Sequence, residues 1–310
     1  MRLIFIATGD IALPTFEHLL AHGPRPLALV TQPDKPVGRH QILTPPAIKQ
    51  AAEAAGIPVY QPEKIGEICD VLAAMEPDLF VVMAYGQILR KDILELARVA
   101  IINLHASILP KYRGAACIQA AIDAGDSETG ITVMHVVREL DAGDVILTKT
   151  LEIRATETGG ELHDRLALLA PVALAEAIRK IADGTAERVP QDSELSSYVP
   201  KLERDDGRID WTQDAASIER RVRAYEPWPG TFTMACEGGK MKRLKVFPPL
   251  SRVDADLSPG EIVLTEGRVI VGSGNGALAL ESVQPEGGKR MQAVDYFRGR
   301  KPSGFEVTAS

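Results

Sequence analysis

The sequence predicts an α/β fold: a doubly wound, mostly parallel sheet covered by helices, followed by a smaller all-β domain. Three observations carry that prediction. Short apolar runs alternate with helical stretches from Leu3 to Ala182. One run, Leu79 to Ala84 (LFVVMA), is apolar throughout, as a parallel strand covered on both faces requires. After residue 208 the pattern changes to five short strand-like segments. Strand–helix alternation builds a parallel sheet, and consecutive short strands build a small barrel.

At 310 residues the chain is too long for one comfortable core, so two domains are expected. Its 45% hydrophobic and 25% charged residues are those of an ordinary globular protein. The longest apolar runs fall far short of a membrane span. Met1-Arg2-Leu3 leads straight into a strand-like run without the pattern of a signal peptide. Cys69, Cys117 and Cys236 stand apart with no CxxC spacing. That suits a reducing cytoplasm and argues against a disulfide frame or a structural zinc site. The net charge of −7 is uneven: residues 1–207 hold 20 Lys+Arg and 29 Asp+Glu, and residues 208–310 hold 15 and 13. An acidic body with a mildly basic C-terminal part could meet a polyanion on selected surfaces, but the imbalance alone establishes none.

Leu3 to Ala7 is the first strand, Thr8-Gly9-Asp10 turns the chain, and Pro14 to His22 is a helix stopped by Gly23. The turn has a single glycine where a dinucleotide-binding GxGxxG would lie, so it does not signal NAD or FAD. Leu27 to Thr31 is a second strand. The loop after it, QPDKPVGRHQILTPP, carries four prolines and three basic residues, Lys35, Arg39 and His40. It is too long and stiff for a plain connection, which suits either a functional loop or a solvated excursion. Ala47 to Ala55 and Ile65 to Met75 are helices flanking a short strand at Ile57 to Tyr60. Tyr85-Gly86 follows the apolar run at 79–84, and a helix near Lys91 to Ala97 leads to the next strand.

That strand enters the central stretch, IINLHASILPKYRGAA at 101–116. Asn103 and His105 are two apart, so on a strand they share a face. Pro110 and Gly114 then break the regular structure, and Ala115 to Ala124 is a helix stopped by Gly125. Polar groups delivered at the C-terminal end of a strand sit where open α/β sheets hold their ligands. Gly130 to Val137 and Val145 to Thr150 are strands around a turn that contains Asp141. Thr158 and Glu161 form a capping box opening a long helix to Ala182, with Pro171 expected to kink it. Residues 190–207 read as a linker between a domain at 1–189 and another at 208–310. In the latter, Ala215 to Tyr225 is a helix carrying Arg220, Arg221 and Arg223. Strands at 231–236, 244–247, 261–264, 269–271 and 277–283 suggest an OB-like β-barrel, and Gly272 to Gly276 is a hairpin turn.

Asp141, 38 residues beyond Asn103, is the best partner for the central pair if their strands are neighbours, because both loops then open at one edge of the sheet. A carboxylate beside an imidazole favours the charged ring and fixes its tautomer. Asn, His and Asp without a Ser or Cys nucleophile suit direct acyl transfer: an amine attacks a carbonyl, and the side chains stabilise the oxyanion and manage the protons. Taken singly, each residue also has a bland reading. Asn103 forms turns, His105 packs in an interior, and Asp141 sits in a turn. Cys117 reads as a small buried helix residue, and His135 as a packed strand residue.

The run from Ile102 to Ile146, with Asn-x-His, a Ser-Ile-Leu-Pro loop, Arg-Gly-Ala and Asp-Ala-Gly-Asp, resembles the core of the folate-dependent formyltransferases. TQPDKPVGR at 31–39, YVPKL with RIDW at 198–211, and RAYEPWPGTF at 223–232 extend the resemblance to essentially the whole chain. They are similar to the branch that formylates the α-amine of methionine on initiator tRNA. The resemblance implies a Rossmann-like N-terminal domain without a dinucleotide, 10-formyltetrahydrofolate as formyl donor, and initiator methionyl-tRNA as partner. Asn103, His105 and Asp141 match the family's catalytic group. Ser107, Ile108, Leu109 and Pro110 match the folate-contacting loop, with Tyr85, Gly86, Gln87 and Ile88 lining the same pocket. Arg39, with Lys35, matches the basic inserted loop that engages the acceptor stem. Arg220, Arg221, Arg223, Lys240, Lys242, Arg243 and Lys245 are candidate tRNA contacts, or equally plain solvated charges. No metal, no membrane contact and a monomer are expected. Gly9 and Cys117 depart from the family, which often has Pro at both positions.

Three other functions stay open on the sequence alone. The same fold could formylate an amino-sugar nucleotide, carry a silent domain on an RNA-binding protein, or hydrolyse the folate by passing formyl to water.

Overall fold

Five apolar residues with no polar break, Leu3–Ala7, form β1, an interior strand of the first sheet buried on both faces. The computed structural model describes residues 1–37, 41–265, 267–300 and 302–307. In chain order β1 is followed by α1 (Leu13–His22), β2 (Ala28–Val30), β3 (Lys35–Val37), β4 (Ile42–Thr44), α2 (Ala47–Ala54) and β5 (Val59–Tyr60). Next come α3 (Cys69–Ala74), β6 (Leu79–Met83), α4 (Lys91–Leu94), β7 (Ala100–His105), β8 (Arg113–Gly114) and α5 (Cys117–Ala124). Then β9 (Glu128–His135), β10 (Val145–Glu152), α6 (Gly159–Ala182), β11 (Tyr198–Val199) and α7 (Ala215–Ala224) precede the C-terminal strands. These are β12 (Thr231–Glu237), β13 (Lys240–Val253), β14 (Ile262–Thr265), β15 (Arg268–Gly272), β16 (Ala277–Pro285) and β17 (Met291–Gln292), and α8 (Ala293–Arg300) follows.

The chain divides into two compact units. One comprises Met1–Gly114, Thr129–Leu151 and His163–Val199; the other comprises Ala115–Glu128, Glu152–Leu162 and Pro200–Ser310.

The first unit holds a seven-stranded sheet in the order β10-β9-β7-β6-β1-β2-β5. β1 runs parallel to β2 and β6, β6 parallel to β7, and β2 parallel to β5. The chain leaves β1 in one direction and returns to build on its other side, so the winding reverses between β1 and β6. Gly9 marks that reversal: its N–H donates to the Ala84 carbonyl at 3.1 Å, and a Cβ there would lie 3.0 Å from that of Ala84. Ile4, Ile6, Phe80, Val82 and Ile101 pack with Ile65, Leu72 and Ile93 under one face. The Pro-rich loop is more structured than its composition suggests. β3 and β4 pair as an antiparallel hairpin, with Lys35 opposite Thr44.

β9 is the departure that matters for the site. It lies beside β7, as the sequence reading required, but antiparallel to it, with Ile102 opposite His135 and His105 opposite Thr132. The turn after β9 therefore begins at the wrong end of β7, beside Ile101, where Val136 donates to the Ile101 carbonyl. The two loops do not open at a common edge. Residues 136–144 fold back instead, closed by His135 N–H on the Asp144 carbonyl at 2.9 Å.

α6 starts at the expected capping box. Thr158 N–H donates to Glu161 Oε2 at 2.9 Å, and Glu161 N–H donates back to Thr158 Oγ1 at 3.3 Å. Pro171 lies within the helix without ending it. Among the described residues, no helix is long and apolar enough to cross a membrane.

In the second unit β12-β13-β16-β15-β14 form an antiparallel sheet, with β17 on β16. The sheet has one more strand than the five expected and runs in open order from β12 to β14, so among the described residues it is an antiparallel sheet and not a closed OB-like barrel, and β13 is far longer than its apolar part. Pro248 and Pro249 hide its continuation, because proline cannot donate to a ladder. The strand absorbs them at a register shift between Phe247 and Leu250 and pairs again from Leu250 to Val253. The Gly272–Gly276 segment is the expected turn, with Ser273 N–H on the Gly276 carbonyl at 3.0 Å. Trp211, fully buried, anchors this core. Its ring stacks 5.3 Å from Phe305, and its Nε1–H reaches Thr233 Oγ1 at 2.9 Å.

Candidate active site

β7 ends on Asn103 and His105, and its period of two turns both side chains to the same side. The fold-back turn brings Asp141 onto that side. Asp141 Oδ1 is 3.4 Å from Asn103 Nδ2, and Oδ2 is 3.7 Å from His105 Nδ1. Only 8% of the His105 side chain and 10% of the Asp141 side chain are exposed, so their mutual field is poorly screened. Asp141 Oδ2 also accepts the Gly114 N–H at 2.9 Å. His105 Nε2 lies 2.9 Å from the Tyr112 carbonyl. A carbonyl only accepts, so Nε2 carries a proton and Nδ1 is the nitrogen turned to the carboxylate.

The Ser107–Pro110 loop is built next to this group. Ser107, fully buried, closes it with Oγ–H on the Lys111 carbonyl at 2.7 Å. Thr132, directly across from His105 on β9, holds both ends: its Oγ1 donates to the Ser107 carbonyl at 2.7 Å and accepts from Leu109 N–H at 3.2 Å. β6 and β7 are parallel with Val82 opposite Asn103, so Tyr85–Ile88 leaves the sheet beside the same strand end. The four residues there have different situations. Tyr85 is buried in the core, its hydroxyl has no hydrogen-bond partner among the described residues, and burial pushes it up to about 12. Gln87 is tied to Glu63 O and Ile65 N. Gly86 is exposed, and Gln32 fills the space a Cβ would need, at 2.6 Å. Ile88 is 73% exposed. Among the described residues no group of His, Cys, Asp and Glu is placed to hold a metal ion.

The candidate nucleic-acid contacts fall into two sets. The helix arginines are engaged inside the second unit. Arg221 grips the Asp123 carboxylate with contacts of 3.0–3.3 Å, and Arg220 donates to the Asp123 carbonyl and to Ser217 Oγ, both at 3.0 Å. Arg223 is buried against Glu219 and donates to the Glu157 carbonyl at 2.7 Å. The residues of β13 are more available. Lys240 and Lys245 are exposed, and Lys242 pairs with Glu237 at 2.9 Å. Arg243 lies 3.5 Å over the Phe232 ring. Lys35, exposed on β3, donates to Gln32 Oε1, and Arg39 lies outside the described residues. A cavity of about 590 Å³ lined by Arg208, Phe232, Arg243 and Glu286 belongs to the second unit and includes none of the Asn103, His105 and Asp141 group.

Sequence reasoning missed three residues that shape the site. Thr132 was one polar residue in an apolar strand. Gly114, at φ +105°, is required because a Cβ would lie 2.3 Å from the Val199 carbonyl. Gln191 sits in the polar string that read as a linker, yet its Nε2 reaches the Asp141 and Gly143 carbonyls at 2.9 and 2.8 Å. Gly114 reads in the sequence only as a break, and Thr132 leaves a fainter trace: a threonine in an inward position of a buried strand needs a partner.

Comparison with known proteins places the chain in a family. Residues 1–178 match the formyl transferase family model, and residues 201–301 match the model of the formyl transferase C-terminal domain. A methionyl-tRNA formyltransferase of Akkermansia muciniphila is 48% identical over 96% of this chain and 96% of its own length. One of Staphylococcus epidermidis is 40% identical over 97% of each chain. Among solved structures, a Helicobacter canadensis N-formyltransferase in complex with folinic acid and dTDP-3-aminofucose superposes with a TM-score of 0.67 at 16% identity, over 94% of this chain and all of its own. HypX of Aquifex aeolicus in complex with tetrahydrofolic acid gives 0.64 at 17% identity over 96% of this chain, which spans about half (47%) of HypX. At these identities the two structures testify to the fold alone. Both domains of the family are present, and the chain belongs to the formyl transferase family.

Proposed function

We propose that this chain transfers the formyl group of 10-formyltetrahydrofolate to the α-amine of methionine esterified to initiator tRNA, giving formylmethionyl-tRNA for translation initiation in the cytoplasm. Residues 1–189 carry the chemistry in this reading, and residues 208–310 hold the tRNA. The observation that supports it most is the meeting of Asn103, His105 and Asp141 at the end of β7, in a chain whose relatives carry that activity in their names.

Asn103 offers a neutral N–H to the formyl oxygen as that oxygen becomes an oxyanion. His105, charged beside Asp141, adds a second stabilising group. An oxyanion donor such as the Asn103 amide contributes roughly 10²–10³ in rate. The neutral amine forms the new C–N bond, the bond from the formyl carbon to N10 breaks, and the amine proton reaches N10 by way of the His105–Asp141 pair. The exposed lysines of β13, with Lys35 on β3, supply phosphate contacts.

Labelled-formyl transfer to initiator methionyl-tRNA, an elongator methionyl-tRNA and an amino-sugar nucleotide tests the acceptor. His105→Ala and Asp141→Asn should each lower kcat by at least about 10²-fold and leave tRNA binding unchanged. Preference for the sugar acceptor, or equal loss of tRNA binding in both variants, defeats the reading.

A further inference from the structure

Residues 189–199, polar and irregular in sequence, are bonded into the loops that carry the site. Val189 and Val145 exchange both backbone hydrogen bonds, at 2.8 and 3.0 Å. β11 pairs in parallel with β8, Tyr198 opposite Arg113 and Val199 opposite Gly114. Ser197 accepts the Tyr112 N–H on its Oγ and the Arg113 N–H on its carbonyl, both at 2.8 Å. Between these ties lies Gln191, half-buried, with its whole carboxamide in use. Arg113 forks onto its Oε1 with Nε at 3.1 Å and Nη2 at 2.8 Å. Its Nε2 donates to the main-chain carbonyls of Asp141 and Gly143.

The direction of these bonds is informative. Arg113 only donates and the two carbonyls only accept, so a group placed between them must accept on the Arg113 side and donate on the other. The Gln191 carboxamide has an acceptor at one end and two N–H donors at the other, and so bridges them. Asp141 needs such a tie. It is a non-glycine residue at φ +51°, on a turn that must fold back across β7, and its carboxylate must stay beside His105.

We propose that Gln191 is a positioning residue for the reaction. Braced by Arg113, it fixes the 141–143 turn and thereby sets the distance of the Asp141 carboxylate from His105. The segment between the two matched family domains is, at this point, part of the active-site wall. The proposal rests on the reading that Asp141 is catalytic, and its test separates the two.

The informative variant is Gln191→Glu. It keeps the length and strengthens the bond to Arg113, but it turns two donors into an acceptor facing two carbonyls. Steady-state formyl transfer, its pH profile and thermal unfolding would be measured for Gln191→Glu, Asp141→Asn and the double variant. Misplacement of a catalytic group by about 1 Å costs up to roughly 10²-fold in rate. We expect Gln191→Glu to lower kcat about 10- to 100-fold, to leave KM for both substrates within about threefold, and to move the acid limb of the kcat profile while Tm stays close to the parent. On the Asp141→Asn background it should cost nothing further, because the residue it positions is already disabled. Wild-type kcat in Gln191→Glu, or a loss that multiplies with that of Asp141→Asn, overturns the positioning role while leaving Asp141 catalytic. Wild-type kcat in Asp141→Asn overturns the underlying reading instead. A parallel fall of kcat and Tm assigns Gln191 to stability alone and also overturns the proposal.

Discussion

Replacing Arg221 by alanine separates two tasks a basic helix could perform: gripping a polyanion or holding its own fold together. Arg221 meets the Asp123 carboxylate at 3.0–3.3 Å, and its guanidinium lies 5.8 Å from the Tyr225 ring. Burial is the largest influence and opposes its charge, but the hydrogen bond to Asp123 together with the charges of Asp123, Tyr225 and Asp210 outweighs it, and the guanidinium is held more firmly protonated than in water. With 40% of Arg221 and 22% of Asp123 exposed, solvent screening limits the pair to about 1 kcal/mol. Stranding the half-buried Asp123 carboxylate adds about as much again. The expected loss is about 1–2 kcal/mol, a Tm lowered by a few degrees. The functional assay is initiator-tRNA binding across a salt series. Each lost phosphate contact reduces the slope of log K against log salt by about 0.7–0.9. Arg221→Ala should keep the parent slope, and Lys245→Ala on the exposed face of β13 should reduce it by about that amount. A reduced slope in Arg221→Ala with an unchanged Tm would refute the assignment of this arginine to packing.

Two further variants probe the first unit. Thr132→Val keeps shape but strands the Ser107 carbonyl and the Leu109 N–H, each costing about 1–3 kcal/mol; a folate titration should show KM raised about tenfold or more, and a parent KM would show that the loop holds itself. His135 is buried, and burial, together with the Arg188 charge, holds its imidazole below the ordinary value despite the opposing pull of Asp144. The unfolded chain takes up a proton near pH 6.5 that the folded chain resists, so stability should fall as pH drops below about 6.5 and level off once the folded imidazole protonates. Thermal unfolding between pH 7.5 and 5.5 should show a smaller loss in His135→Leu than in the parent, and equal losses would mean that this histidine is not the group involved.

The residues that could be read from the sequence are those whose reason is local. Asn103 and His105 are legible because a strand has a period of two and ends where ligands bind. The Thr158–Glu161 cap is legible because both bonds lie within four residues. Illegibility begins where a partner is distant or a direction is undetermined. Arg220, Arg221 and Arg223 look like a solvated basic face until Asp123 and Glu157, far back in the chain, are brought to them. Pro248 and Pro249 read as the end of a strand because a register shift leaves no local mark. The polarity of β9 is likewise absent from its composition, since an apolar strand pairs either way. Gln191 belongs to the same class: its polar neighbours describe a linker, and its function depends entirely on what the fold places on either side of it.

The antiparallel β9 explains why so much of the chain is recruited to one carboxylate. Had β9 run parallel to β7, its following turn would have met Asn103 and His105 directly. As it is, the turn doubles back, and two non-glycine residues in these loops, Asp141 at φ +51° and Tyr112 at φ +62°, adopt the left-handed region. That conformation costs about 1–3 kcal/mol per residue and persists only where the surroundings over-determine it. Here five hydrogen bonds do so: Gly114 N–H on Asp141, Gln191 on the carbonyls of 141 and 143, His105 on the Tyr112 carbonyl, and Tyr112 N–H on Ser197. At about 1 kcal/mol each they are of the size needed to offset the strain. The bonds that stabilise the loops are therefore the ones that aim Asp141 at His105. Relaxing the strain and loosening the site are one and the same change, which is why the segment from 189 to 199 cannot be a passive tether in this fold.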